Sequence, residues 1–179
     1  MSGTVSRYHP ALRLLHWLTA AVILCMFVTG GWIVYFDPGD GPLKLALYHL
    51  HESTGATVWL LVLVRLGLRW RFGAPPLPAT TPRAIRLLAG GNQVALYAVL
   101  LLQPLIGLSD ANAWGAPLHW YGLFEVPWFF ARLPEPAARA LADMHWWGAA
   151  ALLALLGAHV AGGLYHAIVR RDGVWQHMA

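Results

Sequence analysis

Charge is what this sequence has least of. Asp, Glu, Lys and Arg make up only 11% of its 179 residues, where a soluble globular domain typically carries about 25%. A chain so poor in charge does not belong among soluble domains. Cysteine is nearly absent as well. A single Cys25 cannot build a disulfide framework within one chain, and it excludes a Cys-x-x-Cys-His motif of the kind that tethers a cofactor covalently. Internal repeats and low-complexity tracts are missing. So is a signal-peptide pattern: the apolar run in "MSGTVSRYHPALRLLHWLTAAVILCMFVTGG" is too long for an h-region, and no small-residue cleavage site follows it. It reads as a retained first span.

What the chain has in abundance is apolar length. It is 58% hydrophobic, with ten Trp and nine His. A bilayer crossing needs about 20 mostly apolar residues. Four segments qualify, at about 12–35, 45–69, 92–110 and 140–169, in a single transmembrane domain covering 1–179. The prolines of "APPLPATTPR" forbid one continuous helix through the second and third spans. The stretch between the third and fourth spans contains "APLHWYGLFEVPWFFARLPEP", which is expected to lie at the membrane interface with a short helix. The fold class is therefore all-α, an integral membrane four-helix bundle.

Orientation follows from the Lys/Arg bias. With four spans, Arg7, Arg13, Arg65, Arg69, Arg71, Arg83, Arg86, Arg170 and Arg171 fall on one side. Only Lys44, Arg132 and Arg139 fall on the other, among Asp37, Asp40, Glu125, Glu135 and Asp143. Both termini are expected in the cytoplasm, with Trp114, Trp120, Trp128, Trp146 and Trp147 forming an aromatic belt on the outer side.

Ionisable side chains inside spans are costly and mark function by default. His145 and His159 stand 14 residues apart, which on one helix is about 21 Å along the axis and within about 40° of the same face. The alternating directions of the spans set His51 opposite His145 near the outer surface and His16 opposite His159 near the inner one. Two imidazoles on facing helices suit an iron porphyrin, which takes one axial ligand on each face. A zinc site would want three or four ligands, and the sequence offers pairs. His49 competes with His51, but the two are about 200° apart on a helix, and Gly55 and Arg65 share the His51 face. His9, His119 and His177 read as surface residues, and His166 as a boundary residue, either a plain interfacial histidine or one in a propionate or proton-handling role. Arg65 lies 14 residues after His51, at the depth of the inner pair. It is expected to anchor haem propionates with Arg69, because a guanidinium binds a carboxylate bidentately. The competing reading is that both snorkel to the interface.

The ordered set "LLHWLTA", "HLHESTGATVWLLVLVRLGLRWR", "LYAVLLLQPLIG", "WYGLFEVPWF", "MHWWGA" and "HVAGGLYHAIVRRDGVWQHM" resembles the bacterial cytochrome b561 family over nearly the whole chain. Gln93 stands where that family often has a histidine. The resemblance implies two bis-histidine b haems, with His16 and His159 on the inner iron and His51 and His145 on the outer iron. It also implies electron transfer involving ubiquinone in the bacterial inner membrane.

One branch of the family oxidises superoxide at the outer face with ubiquinone as acceptor, so superoxide:ubiquinone oxidoreductase is the candidate activity and a plain electron carrier the fallback. The alternative is a cytochrome b anchor subunit relaying electrons from a hydrogenase or formate dehydrogenase to quinone. Flat rings with a few polar groups suit a quinone, which nominates His119, Trp120, Tyr121 and Trp128. The candidate partners are lipid, quinone, a soluble redox protein and a second copy of the chain, with nothing pointing to nucleic acid.

Overall fold

A computed structural model describes residues 7–36, 39, 41–127 and 132–179. Four long helices dominate: α1 (Pro10–Tyr35), α2 (Pro42–Phe72), α3 (Arg83–Trp114) and α4 (Glu135–Leu164). Their ends follow local chemistry. Proline sits in the first turn of α1, α2 and α4, where a missing N–H costs nothing. Gly73 and Gly115, with φ of 74° and 84°, end α2 and α3 in the left-handed half of backbone space that glycine enters freely.

All four predicted spans are helical; α2 and α3 run past their expected bounds at both ends, and α1 and α4 begin earlier than expected. Three of them, α1, α3 and α4 with its extension, are long and apolar enough to cross a membrane. The second is long enough but interrupted by Lys44, His49, His51, Glu52, Arg65, Arg69 and Arg71. Its apolar side, with Leu60 and Val64 more than half exposed, faces outward. Large exposed leucines, valines and tryptophans on every helix fit a surface solvated by lipid, where no hydrophobic drive sends them inward.

Packing is uneven. Backbones pack closely between α1 and α2, α2 and α3, and α3 and α4, but α4 makes no comparable packing with α1 or α2. The core is one layer of Ile23, Val58, Val62, Leu96, Leu100 and Leu152. Its position is set by heptads: Ile23 is seven residues after His16, Val58 seven after His51, and Leu152 seven after His145 and seven before His159. Seven residues make about two turns and about 10 Å, so the apolar layer lies midway between the two histidine levels.

The α3–α4 connection departs from expectation. Instead of a short helix it forms an antiparallel hairpin, β1 (Leu118–Trp120) and β2 (Phe124–Val126), with His119 opposite Glu125. Tyr121 and Gly122 both take positive φ, 48° and 72°, and reverse the chain more tightly than a helix could. A non-glycine residue in this region costs about 1 kcal/mol or more. The compensation comes from α2: the Tyr121 N–H donates to Ser53 Oγ at 2.9 Å and Ser53 Oγ donates to the His119 carbonyl at 3.2 Å.

After α4 the chain widens into a π-helical turn, Tyr165–Arg170, and then tightens into a 3-10 turn, Trp175–His177. It then folds back so that the Tyr8 N–H donates to the His177 carbonyl and Trp17 Nε1 to the Met178 carbonyl. Both described chain ends thus meet at one end of the bundle, opposite the hairpin.

Leu152 is 7% exposed at the centre of the mid-bundle layer. Leu152→Ala is expected to cost about 2–5 kcal/mol through the cavity it leaves, read as a lowered unfolding midpoint in detergent, whereas the outward Leu153→Ala should change it little.

Candidate functional site

The four histidines singled out from the sequence come together in two pairs. His51 of α2 and His145 of α4 have ring centroids 6.1 Å apart with planes at 85°. His16 of α1 and His159 of α4 have centroids 6.0 Å apart with planes at 66°. Both pairs reach across the side of the bundle where α4 stands away from α1 and α2. His16, His51 and His145 are half-buried and His159 is exposed toward this gap. Two metal–nitrogen bonds of about 2 Å each, plus the radii of the two rings, span roughly 6 Å. The spacing therefore suits a single metal centre held between each pair. Among the described residues no cluster of three or more His, Cys, Asp or Glu could hold a metal ion, and the imidazoles meet in pairs.

The hairpin-end pair is oriented by its neighbours. Thr29 Oγ1 donates to the Cys25 carbonyl at 2.9 Å and lies 3.1 Å from His51 Nδ1. With its proton committed, the hydroxyl accepts from Nδ1–H, which leaves the Nε2 lone pair of His51 available as a ligand. On the other side the Gln103 amide donates to the His145 carbonyl and lies 3.2 Å from its Nδ1. Two glycines cradle the rings. A Cβ on Gly30 would stand 3.0 Å from His51 Cε1, and one on Gly107 would stand 2.7 Å from His145 Cε1. Any side chain at Gly107 would push the imidazole away from its partner.

Of the small residues on α2 and α4, Gly55 packs beside Met26, Gly148 beside Gln103 and Gly163 beside Trp175, while Gly157 and Gly162 face open space. Gly30, Gly107, Thr29 and Gln103 were not singled out from the sequence. The legible signal was a buried Gln and a Thr inside apolar spans, but which histidine each serves depends on helix rotation.

At the other end, Arg65 lies within electrostatic reach of both His16 and His159, and its guanidinium sits 5.7 Å above the Tyr97 ring. Arg69 is engaged elsewhere: its two terminal nitrogens donate to Tyr8 Oη at 2.9 Å and to Gln93 Oε1 at 3.0 Å. Gln93 is thus the acceptor that ties α2 to the start of α3.

His177, expected at the surface, is 9% exposed, because the tail turns back and its carbonyl accepts from the Tyr8 N–H. His9 does lie exposed, stacked on Phe72. His166 is 5% exposed, with Nδ1 2.9 Å from Asp172 Oδ2, which also accepts from Arg170 Nε at 2.8 Å. Burial pushes the Asp172 carboxyl up, but hydrogen bonds from Arg170 and His166 outweigh it and hold the group below its ordinary value.

The residues nominated for quinone are mostly committed to the hairpin. Trp120 Nε1 donates to Thr57 Oγ1 at 3.3 Å, and Tyr121 Oη lies 3.2 Å from Thr57 Oγ1 and donates to Thr54 Oγ1 at 3.4 Å. The His119 ring faces His49 at 6.1 Å, so His49 serves the hairpin while His51, two residues on, serves the gap. Trp128 lies outside the described residues.

Helices that leave imidazole pairs facing across an unpacked side, at two depths of an apolar bundle, define a helical membrane protein arranged around a cofactor. The comparisons agree. The family model for prokaryotic cytochrome b561 matches residues 7–179. Cytochrome b561 homolog 2 of Escherichia coli is 30% identical over 99% of this chain and 93% of its own length. Cytochrome b561 homolog 1 of the same organism is 26% identical over 97% of each, and cytochrome b562 of Cereibacter sphaeroides is 29% identical over 88% and 85%. The chain belongs to the prokaryotic cytochrome b561 family, whose members are bacterial membrane cytochromes that bind b-type haem and transfer electrons.

Because the Asp172 carboxyl is held low, its contribution to stability is complete above about pH 4 and disappears as pH falls through the depressed folded value. Asp172→Asn should therefore lower the unfolding midpoint at neutral pH, and the two proteins should converge on acidification. Parallel curves down to pH 3 would contradict this.

Proposed function

We propose that this cytochrome holds two b haems, one between His51 and His145 and one between His16 and His159, and moves electrons across the membrane between a donor at the hairpin end and ubiquinone. The observation that carries this reading is the near-equal separation, 6.1 and 6.0 Å, of two imidazole pairs along one face of α4. When bound, haems held by these imidazole pairs would supply reversible one-electron chemistry, which would favour electron transfer over oxygen binding.

The residues of the chain do the rest. Thr29 fixes the tautomer of His51, Gln103 holds His145 in place, and Gly30 and Gly107 let both rings approach. The layer of Ile23, Val58 and Leu152 between the two levels keeps water out of the path. The Arg-rich terminal end is assigned to the cytoplasm on the positive-inside bias, in the bacterial inner membrane. With superoxide as donor, two superoxide anions would each lose one electron to give two O2, and ubiquinone would take up two electrons and two protons to give ubiquinol. Because the polar atoms of Trp120 and Tyr121 are bonded to Thr54 and Thr57 of α2, His119 is, among the described residues, the nominated one left to meet a quinone there.

The test is spectroscopic. Purified protein should contain two low-spin haems per chain, and His51→Ala and His159→Ala should each remove a different one. Superoxide should reduce the purified protein in stopped flow, and ubiquinone should reoxidise it. Loss of the same haem in both variants would overturn the pairing. Two haems with no response to superoxide, in a protein that co-purifies with an iron–sulfur subunit, would replace the superoxide reading with that of an anchor subunit.

A further inference from the structure

We infer that Arg13 and Arg65, with Tyr97 beneath the latter, form the carboxylate clamp of the cofactor held by His16 and His159, and that Arg69 is not part of it. This rests on the two-haem reading above. Three donors at this level have no partner: Nε of Arg13, Nε of Arg65 and Oη of Tyr97 are sealed from solvent without a hydrogen bond among the described residues. Leaving such a group unsatisfied is costly, and more so when it is charged. Three of them, on α1, α2 and α3, call for a shared acceptor.

Their placement points to one. Arg13 is three residues before His16, on the same side of α1 and about 4.5 Å nearer the terminal end. Arg65 acts electrostatically on both histidines of the pair. Among the described residues no side-chain carboxylate is left to serve them. Glu52, Asp110, Glu125, Glu135 and Asp143 all belong to the hairpin-end portions of their elements. Asp172 is already bound by His166 and Arg170.

Two guanidinium groups without an anion therefore face a site whose expected occupant carries two carboxylates, and each guanidinium can bind a carboxylate bidentately. Arg69, one turn beyond Arg65, is excluded because Tyr8 and Gln93 take its terminal nitrogens. The phosphate of a lipid headgroup is the other anion that could meet these residues, and it would leave the cofactor's redox potential untouched.

The test uses purified holoprotein, with haem content from pyridine haemochromogen spectra and midpoint potentials from redox titration. The haem to watch is the one lost in His159→Ala. Arg13→Gln and Arg65→Gln should each lower its potential, because removing a nearby cation favours the more positive ferric state. The expected size is about a tenfold shift in the ferrous-to-ferric ratio, or about 59 mV for one electron. The other haem should stay unchanged, Arg69→Gln should move neither, and Arg13→Lys and Arg65→Lys should recover most of the shift. If Arg13→Gln or Arg65→Gln loses that haem outright while the Lys variant keeps it, the charge contact is equally supported. Unchanged potentials in both Gln variants, or an equal shift in Arg69→Gln, would overturn the clamp. Fewer than two haems in the unmodified protein would overturn the two-haem reading itself, before any variant is made.

Discussion

An imidazole inside a bilayer must have a partner, and the partner here lies on another helix. That constraint organises the bundle. His145 and His159 stand on one face of α4, so their partners have to come from helices at the matching depths, and α2 and α1 supply them. The backbones comply by staying apart: α4 packs on α3 but not comparably on α1 or α2. A closer approach would force the rings past each other. The same constraint explains why α2 can carry so many polar groups. They turn toward the gap, the hairpin or the terminal network, and leave only its apolar side for lipid.

Packing then fills what the polar sites leave. The Ile23, Val58 and Leu152 layer falls at the heptad midpoint between the two histidine levels, because a face that presents an imidazole at one position presents the residue seven later in nearly the same direction. A single repeat thus places histidine, core and histidine along α4. Above this stack the hairpin is pinned to α2 by Ser53, Thr54 and Thr57, and below it the tail is tied to α1 through Tyr8 and Trp17. Each end is closed by hydrogen bonds, whereas the middle depends on apolar contact.

Membership of the prokaryotic cytochrome b561 family gives this geometry its chemistry, and the geometry distinguishes residues that a family likeness leaves equivalent. Arg65 and Arg69 look alike as cationic neighbours on one helix. Of the two, only Arg65 keeps an unpartnered guanidinium nitrogen beside the histidines, while Arg69 ties α2 to α3 and to the segment before α1. Trp120 and Tyr121 look like ring surfaces for a ligand, yet their polar atoms are occupied in holding a strained turn.

The helices, their number and the identity of the two histidine pairs were legible in the sequence alone, because length, apolarity and a 14-residue interval are local properties with fixed helical consequences. The choice of His51 over His49 followed from the same periodicity. What the sequence could not determine depends on rotation and on distant segments meeting. The hairpin in place of a helix rests on Ser53 being beneath it. The burial of His177 rests on the tail turning back. The roles of Gly30, Thr29, Gln103 and Gly107 rest on which imidazole each one meets, and nothing along the chain relates position 30 to 51 or position 107 to 145 until the helices are packed. Tertiary structure decided those contacts because a glycine or an amide serves a histidine only through direct touch, and touch between helices is set by their packing rather than by their sequence order.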